Sequence, residues 1–108
     1  MRAPAAVALL TLLGVLAGCA PCKESCRIES RRFEDCLGEW GLEWVDVGAT
    51  GRVNYRETCV GDVDVWLDGL DTEERSQENQ QCSAANTALR ESQDCDAVWD
   101  ALVEYGAL

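Results

Sequence analysis

Pro21-Cys22-Lys23-Glu24-Ser25-Cys26-Arg27-Ile28-Glu29-Ser30-Arg31-Arg32-Phe33-Glu34-Asp35-Cys36 holds three of the chain's seven cysteines and reads as one helix. Pro21 suits a first helical turn, where its missing N–H is harmless. Cys22, Cys26, Phe33, Cys36, Leu37, Trp40 and Trp44 then recur mostly at three-, four- and seven-residue intervals, the mark of a buried helix face. Gly38 and Gly41 weaken the end of the pattern, so the helix is expected to stop near Leu37 and leave the tryptophans on a loop. Cys22 and Cys26, one turn apart, are poorly placed to bond each other within a regular helix. The three cysteines therefore look elsewhere for partners.

Downstream, three further helices are expected. Asn54-Tyr55-Arg56-Glu57 pairs an N-cap residue with a glutamate three positions on, a helix-start signal. The second helix would present Tyr55, Cys59, Val63, Trp66, Leu67 and Leu70 on one side and stop at Gly69. The competing possibility is a short β-hairpin around residues 43–55, turning at Gly48-Ala49-Thr50-Gly51. Asp71-Thr72-Glu73-Glu74 repeats the capping-box spacing and opens a third helix, polar through Gln81 and then narrow-faced at Cys82, Ala85, Ala88 and Leu89. Asp94 caps a fourth, whose face is Cys95, Val98, Trp99, Leu102 and Val103. The expected fold is all-α, a small bundle of about four helices.

The leader adds a compartment. Arg2 precedes an apolar run from Ala5 to Leu16 that is interrupted only by Thr11 and is shorter than the about 20 residues a membrane span needs. It ends in Leu16-Ala17-Gly18-Cys19, which resembles the lipobox of bacterial lipoproteins. The resemblance implies that residues 1–18 are a signal peptide, that Cys19 becomes the N-terminus and carries diacylglycerol on its thiol, and that residues 19–21 form a short tether to a single domain at 22–108. Ala20 is not the aspartate that resembles an inner-membrane retention signal, so the implied destination is the outer membrane of a Gram-negative bacterium, on its periplasmic or cell-surface side. Two or three acyl chains anchor firmly, since each buried methylene adds about 0.8 kcal/mol. The lipid on Cys19 is the one non-protein group expected, with no cofactor besides it.

Removing the leader leaves 90 residues, a size at which exported domains usually add staples. Setting Cys19 aside leaves Cys22, Cys26, Cys36, Cys59, Cys82 and Cys95, an even set that implies three disulfides. The economical arrangement joins the first helix's three cysteines to Cys59, Cys82 and Cys95, one on each other helix, which leaves six pairings; Cys36–Cys59 is the pair first expected. Because the third helix's alanine-rich face buries little, Cys82 is expected to hold it to the bundle. A zinc site finds no support, because the chain has no histidine and only Cys22 and Cys26 have ligand-pair spacing.

Residues 57–108 carry thirteen acids against Arg75 and Arg90, while residues 19–56 are nearly balanced. Such a surface makes nucleic acid an unexpected partner. Asp64, Asp68 and Gly69 do not make a calcium loop, because in that register Trp66 and Arg75 would fall at ligand positions. Two candidate surfaces remain. Trp40 and Trp44 could offer an aromatic platform to an envelope protein or glycan. Lys23, Arg27 and Arg31, four apart and close to the expected lipid, could touch anionic head groups. No motif announces catalysis: there is no histidine base, no free thiol is expected, and twenty acids make any chosen carboxylate pair uninformative. The expected role is therefore non-enzymatic, a membrane-anchored lipoprotein that binds or supports structure in the cell envelope. An inhibitor-like module against an exported hydrolase is the alternative, and a minimal carboxylate hydrolase is the weaker one.

Overall fold

The computed structural model describes residues 20–108; the leader and Cys19 lie outside the described residues. The described chain is all-α. Helix α1 spans Pro21–Cys36, α2 Arg52–Asp68, α3 Thr72–Glu91 and α4 Cys95–Glu104, with a short 3-10 turn at Trp44–Val47 between α1 and α2. Residues 43–55, the stretch that also allowed a hairpin, hold this turn and the start of α2, with no strand. Gly48, in the left-handed region at φ 77°, ends the 3-10 turn, a conformation that glycine adopts without a Cβ penalty.

α1 is the hub. Its pairings with α2 run antiparallel and step evenly along both helices: Glu34 faces Arg52, Glu29 faces Tyr55, Cys26 bonds Cys59 and Lys23 meets Asp64. Its pairings with α3 run parallel, from Cys22–Cys82 through Ser25–Asn86 to Arg32 at the carbonyl of Leu89. The third disulfide, Cys36–Cys95, fastens the end of α1 to the start of α4. Each of the other helices thus receives one cysteine of α1, as economy suggests, but Cys36–Cys59 is not formed. α2 starts opposite Glu34 and descends beside α1, so Cys59 arrives level with Cys26; Cys36 lies ten residues higher, about 15 Å at helical rise.

The helix ends follow local chemistry, with one exception. α1 ends at Cys36, ahead of Gly38, and Gly69 follows the last residue of α2. Asp71 accepts from the Glu74 N–H at 2.8 Å while Glu74 accepts from the Asp71 N–H at 3.1 Å, the reciprocal box its spacing implies. Asp94 accepts from the Ala97 N–H at 2.8 Å. The exception is α2, which begins at Arg52, two residues before the expected cap. Asn54 lies inside its first turn, and its side-chain oxygen reaches back to accept from the Thr50 N–H at 3.0 Å.

The core is divided. Toward the end of α1, Phe33, Leu37, Leu89, Val98 and Leu102 form an apolar cluster with the Cys36–Cys95 disulfide. Toward its start, Cys22 and Cys26 are buried as halves of disulfides, and Ser25 donates to Asn86, whose amide donates to the Pro21 carbonyl at 2.9 Å. That end is held by covalent bonds and satisfied polar groups more than by apolar bulk.

Candidate functional site

α2 sets the site. Every other helix buries residues completely, but α2 buries none. Among the described residues its main helical packing is against α1. Tyr55, Cys59, Val63 and Leu67 lean toward α1 and are half-buried; Trp66 stays 43% exposed and Val65 77% exposed. Between α2 and the 3-10 turn runs an open groove of about 450 Å³, floored by Tyr55, Cys59 and Val63, walled by Val47 and Trp66, and edged by Asp62. Glu57, Asp62, Asp64 and Asp68 give residues 57–68 four acids and no base.

Tyr55 connects the groove to the hub. Its hydroxyl donates to Glu29 Oε1 at 2.7 Å, and its ring meets Phe33 edge-on at 5.0 Å. Burial pushes the Glu29 carboxyl above the usual carboxylate range, against the opposing pull of the Tyr55 hydrogen bond. Burial, then the neighbouring Glu29 charge and hydrogen bond, push the Tyr55 phenol upward as well. Tyr55 therefore stays a neutral donor across the physiological range.

Trp40 and Trp44, the candidate platform, lie along the core's edge. Trp40 stands edge-on to Phe33 at 6.4 Å and to Trp99 at 5.1 Å; Trp44 stands edge-on to Phe33 at 6.4 Å and tilts against Tyr55. Both are half-buried, and the Trp40 indole N–H is buried with no hydrogen-bond partner. Trp66, which periodicity places on the packed face of α2, is the tryptophan left open at the groove.

The basic stripe also divides. Lys23 turns toward α2 and pairs with Asp64 at 2.7 Å, whereas Arg27 turns the other way to Glu24. Arg27 and Arg31 line a depression together with Arg32 and Arg90, which the stripe does not include. Arg90 reaches Glu24 at 3.0 Å, and Arg32 donates to the Leu89 carbonyl at 2.7 Å. The sequence signal for Arg32 and Arg90 is faint, since it rests on α3 running parallel to α1, a matter of topology.

The six cysteines Cys22, Cys26, Cys36, Cys59, Cys82 and Cys95 are all disulfide-bonded. Among the described residues no three or more His, Cys, Asp or Glu side chains gather in a way that could hold a metal ion. Asp64 and Asp68 lie on the exposed surface of a continuous helix. Among the described residues, too, no helix is long and apolar enough to cross a membrane. No protein-family model matches this chain, and neither a curated protein nor a solved structure matches it.

Proposed function

We propose that this chain is a membrane-anchored bacterial lipoprotein, lipidated at Cys19 and held at the outer membrane, whose domain binds a cationic, apolar segment of an envelope protein in the α2 groove. The observation that carries the binding reading is α2 itself: it is tied to the hub by a disulfide and polar pairs, yet buries no residue while Trp66 and Val65 face solvent. Open apolar surface edged by polar groups marks interaction sites. The occupant follows from charge. Asp62 is the acidic residue of the groove lining, and Tyr55 and Trp66 offer aromatic faces that attract cations. A second copy is a poor occupant, because two chains of net charge −11 repel each other. The role asks for no catalysis, and the anchor keeps the groove at a membrane surface.

The test uses residues 20–108 with the three disulfides formed, titrated with a short lysine–leucine peptide and with its glutamate–leucine counterpart. Binding of the cationic peptide should shift the NMR signals of Tyr55, Val63 and Trp66, and Trp66→Ala should weaken it by about tenfold, the order of one interface hot spot. Because an acidic protein attracts cations in general, the variant decides. Unchanged binding by Trp66→Ala, or equal binding of the acidic peptide, refutes the groove.

A further inference from the structure

Half of the eight basic side chains in residues 20–108 gather at one place on an acidic molecule. Arg27, Arg31 and Arg32 from α1 and Arg90 from α3 line an open depression of about 340 Å³, with Ile28 at its floor and Asp35 as its single acidic lining residue. Their partners do not neutralise them. Arg27 and Arg90 share one carboxylate, that of Glu24, so two cations lean on a single anion. Arg32 is committed to backbone, its guanidinium donating to the Leu89 carbonyl at 2.7 Å. Arg31 forms no ion pair among the described residues. Against Glu24 and Asp35, the four guanidinium groups leave two positive charges in excess.

The arrangement is also partly pre-set. Arg32 is fixed at the C-terminal end of α3, and Glu24 draws Arg27 and Arg90 together from two helices that Cys22–Cys82 and the Ser25–Asn86 contact hold in parallel register. Each guanidinium presents several N–H donors in a planar fork, the geometry that matches phosphate oxygens two at a time. From this we infer that the depression between α1 and α3 is a phosphate-binding site, with Arg31 as its free fork and Arg27, Arg32 and Arg90 as its walls. Lys23 is outside it, turned to Asp64 on the α2 side. The ligand chemistry is a phosphate mono- or diester, either the head group of an anionic lipid or a soluble phosphate. The site stands apart from the α2 groove, and only its lipid source draws on the anchor.

The experiment follows the arginine side-chain NMR signals of the processed chain in neutral micelles. Inorganic phosphate is titrated in one arm, phosphatidylglycerol is added in another, and chloride at matched ionic strength serves as the control. Saturable shifts of Arg27, Arg31, Arg32 and Arg90 with phosphate support the site and assign it to soluble phosphates. Shifts that require phosphatidylglycerol support it and assign it to head groups, and a response to both shows one chemistry with two sources. Arg31→Ala should weaken binding by about tenfold or more, as expected for a charged hydrogen bond; Lys23→Ala should leave it unchanged. Arg31 is exposed and makes no described hydrogen bond or ion pair, so its variant keeps the fold, which far-UV circular dichroism checks. No shift in either arm, equal shifts with chloride, an unaffected Arg31→Ala, or an equal loss in Lys23→Ala each overturns the inference.

Discussion

Removing the Cys26–Cys59 disulfide, as Cys26→Ala with Cys59→Ala, should detach α2 and leave the rest of the bundle folded. The bond closes a sequence separation of 33 residues, which the chain-entropy relation converts to about 3.7 kcal/mol. Beyond the half-buried Tyr55, Val63 and Leu67, little else holds α2. It buries no residue, and its ion pairs with α1, Lys23–Asp64 and Arg52–Glu34, are exposed on both sides, contributing about 0–1 kcal/mol each. The Tyr55–Glu29 hydrogen bond adds about 1 kcal/mol net. Removing Cys22–Cys82 takes away a longer closure, 60 residues and about 4.3 kcal/mol, but α3 keeps Ala85, Asn86 and Leu89 buried against the hub. The two double variants should therefore lose similar global stability and differ in where they open. Native-state hydrogen exchange separates them: in the first, amides of residues 52–68 exchange by a low-energy local opening while α3 and α4 stay protected; in the second, no helix opens alone. If α2 in the first variant remains as protected as α3, or all four helices open together, the account of α2 as a covalently tethered, weakly packed helix is wrong.

Three further outcomes follow from the same structure. The folded-state pKa of Glu29 lies above its unfolded value, so the stability this group contributes is full below the ordinary glutamate pKa and is lost as pH rises through the raised one. Glu29→Gln, which can still accept from Tyr55, should remove that decline and unfold at higher denaturant than wild type near pH 7; an unchanged pH profile from acid to neutral counts against it. Asp71→Ala strips the N-cap of α3 and should cost about 1 kcal/mol in denaturant midpoints, with faster exchange at residues 72–75. Cys19→Ser should leave an uncleaved, unacylated precursor by intact-mass spectrometry, and an unlipidated mature wild-type chain would defeat the anchoring proposal.

Much of the fold was legible because its signals are local. The cysteine spacing of α1, the acid caps at Asp71 and Asp94, and the glycine after α2 each act within a few residues, and each lies where the sequence places it. The all-α class follows from these together. What the sequence left open depends on register and topology. Cys36 could meet Cys59 only if α2 began higher, beyond the end of α1; the long connection over residues 37–51 lets α2 start level with Glu34, and that choice is made by packing at a distance. The start of α2 also misled, because an asparagine followed by a glutamate carries capping-box spacing while Asn54 serves Thr50 from inside the helix. Trp66 departs from its expected packing for a plainer reason. Periodicity identifies which residues share a face, but not whether a second layer covers it, and among the described residues α2 packs mainly on α1. The tryptophans at 40 and 44 follow the end of α1, as expected, and both rings stand against Phe33.

The distribution of charge gives this architecture its logic. α1 holds Lys23, Arg27, Arg31 and Arg32, half of the bases in residues 20–108, and the three helices around it belong to the acidic remainder of the chain. α1 balances these bases with Glu24, Glu29, Glu34 and Asp35, so it holds its arms by single pairs, as Lys23 holds Asp64 across the α1–α2 seam, and exposed pairs of this kind are screened and weak. Three disulfides, each running from the hub to a different helix, fix the positions that charge alone would leave loose. Once the helices are held covalently, α2 need not bury its aromatic face to stay attached, and the arginines of α1 need not all be neutralised to keep α3 in place. The stapling thus leaves two unspent surfaces on opposite flanks of one helix: an acid-edged apolar groove beyond α2 and an arginine-lined depression toward α3. The two occupants proposed for them carry opposite charge, so a single non-specific electrostatic attraction would not account for both. Trp66→Ala and Arg31→Ala should accordingly act independently, each weakening one binding event and sparing the other; a variant that weakens both would show that the flanks are coupled through α1.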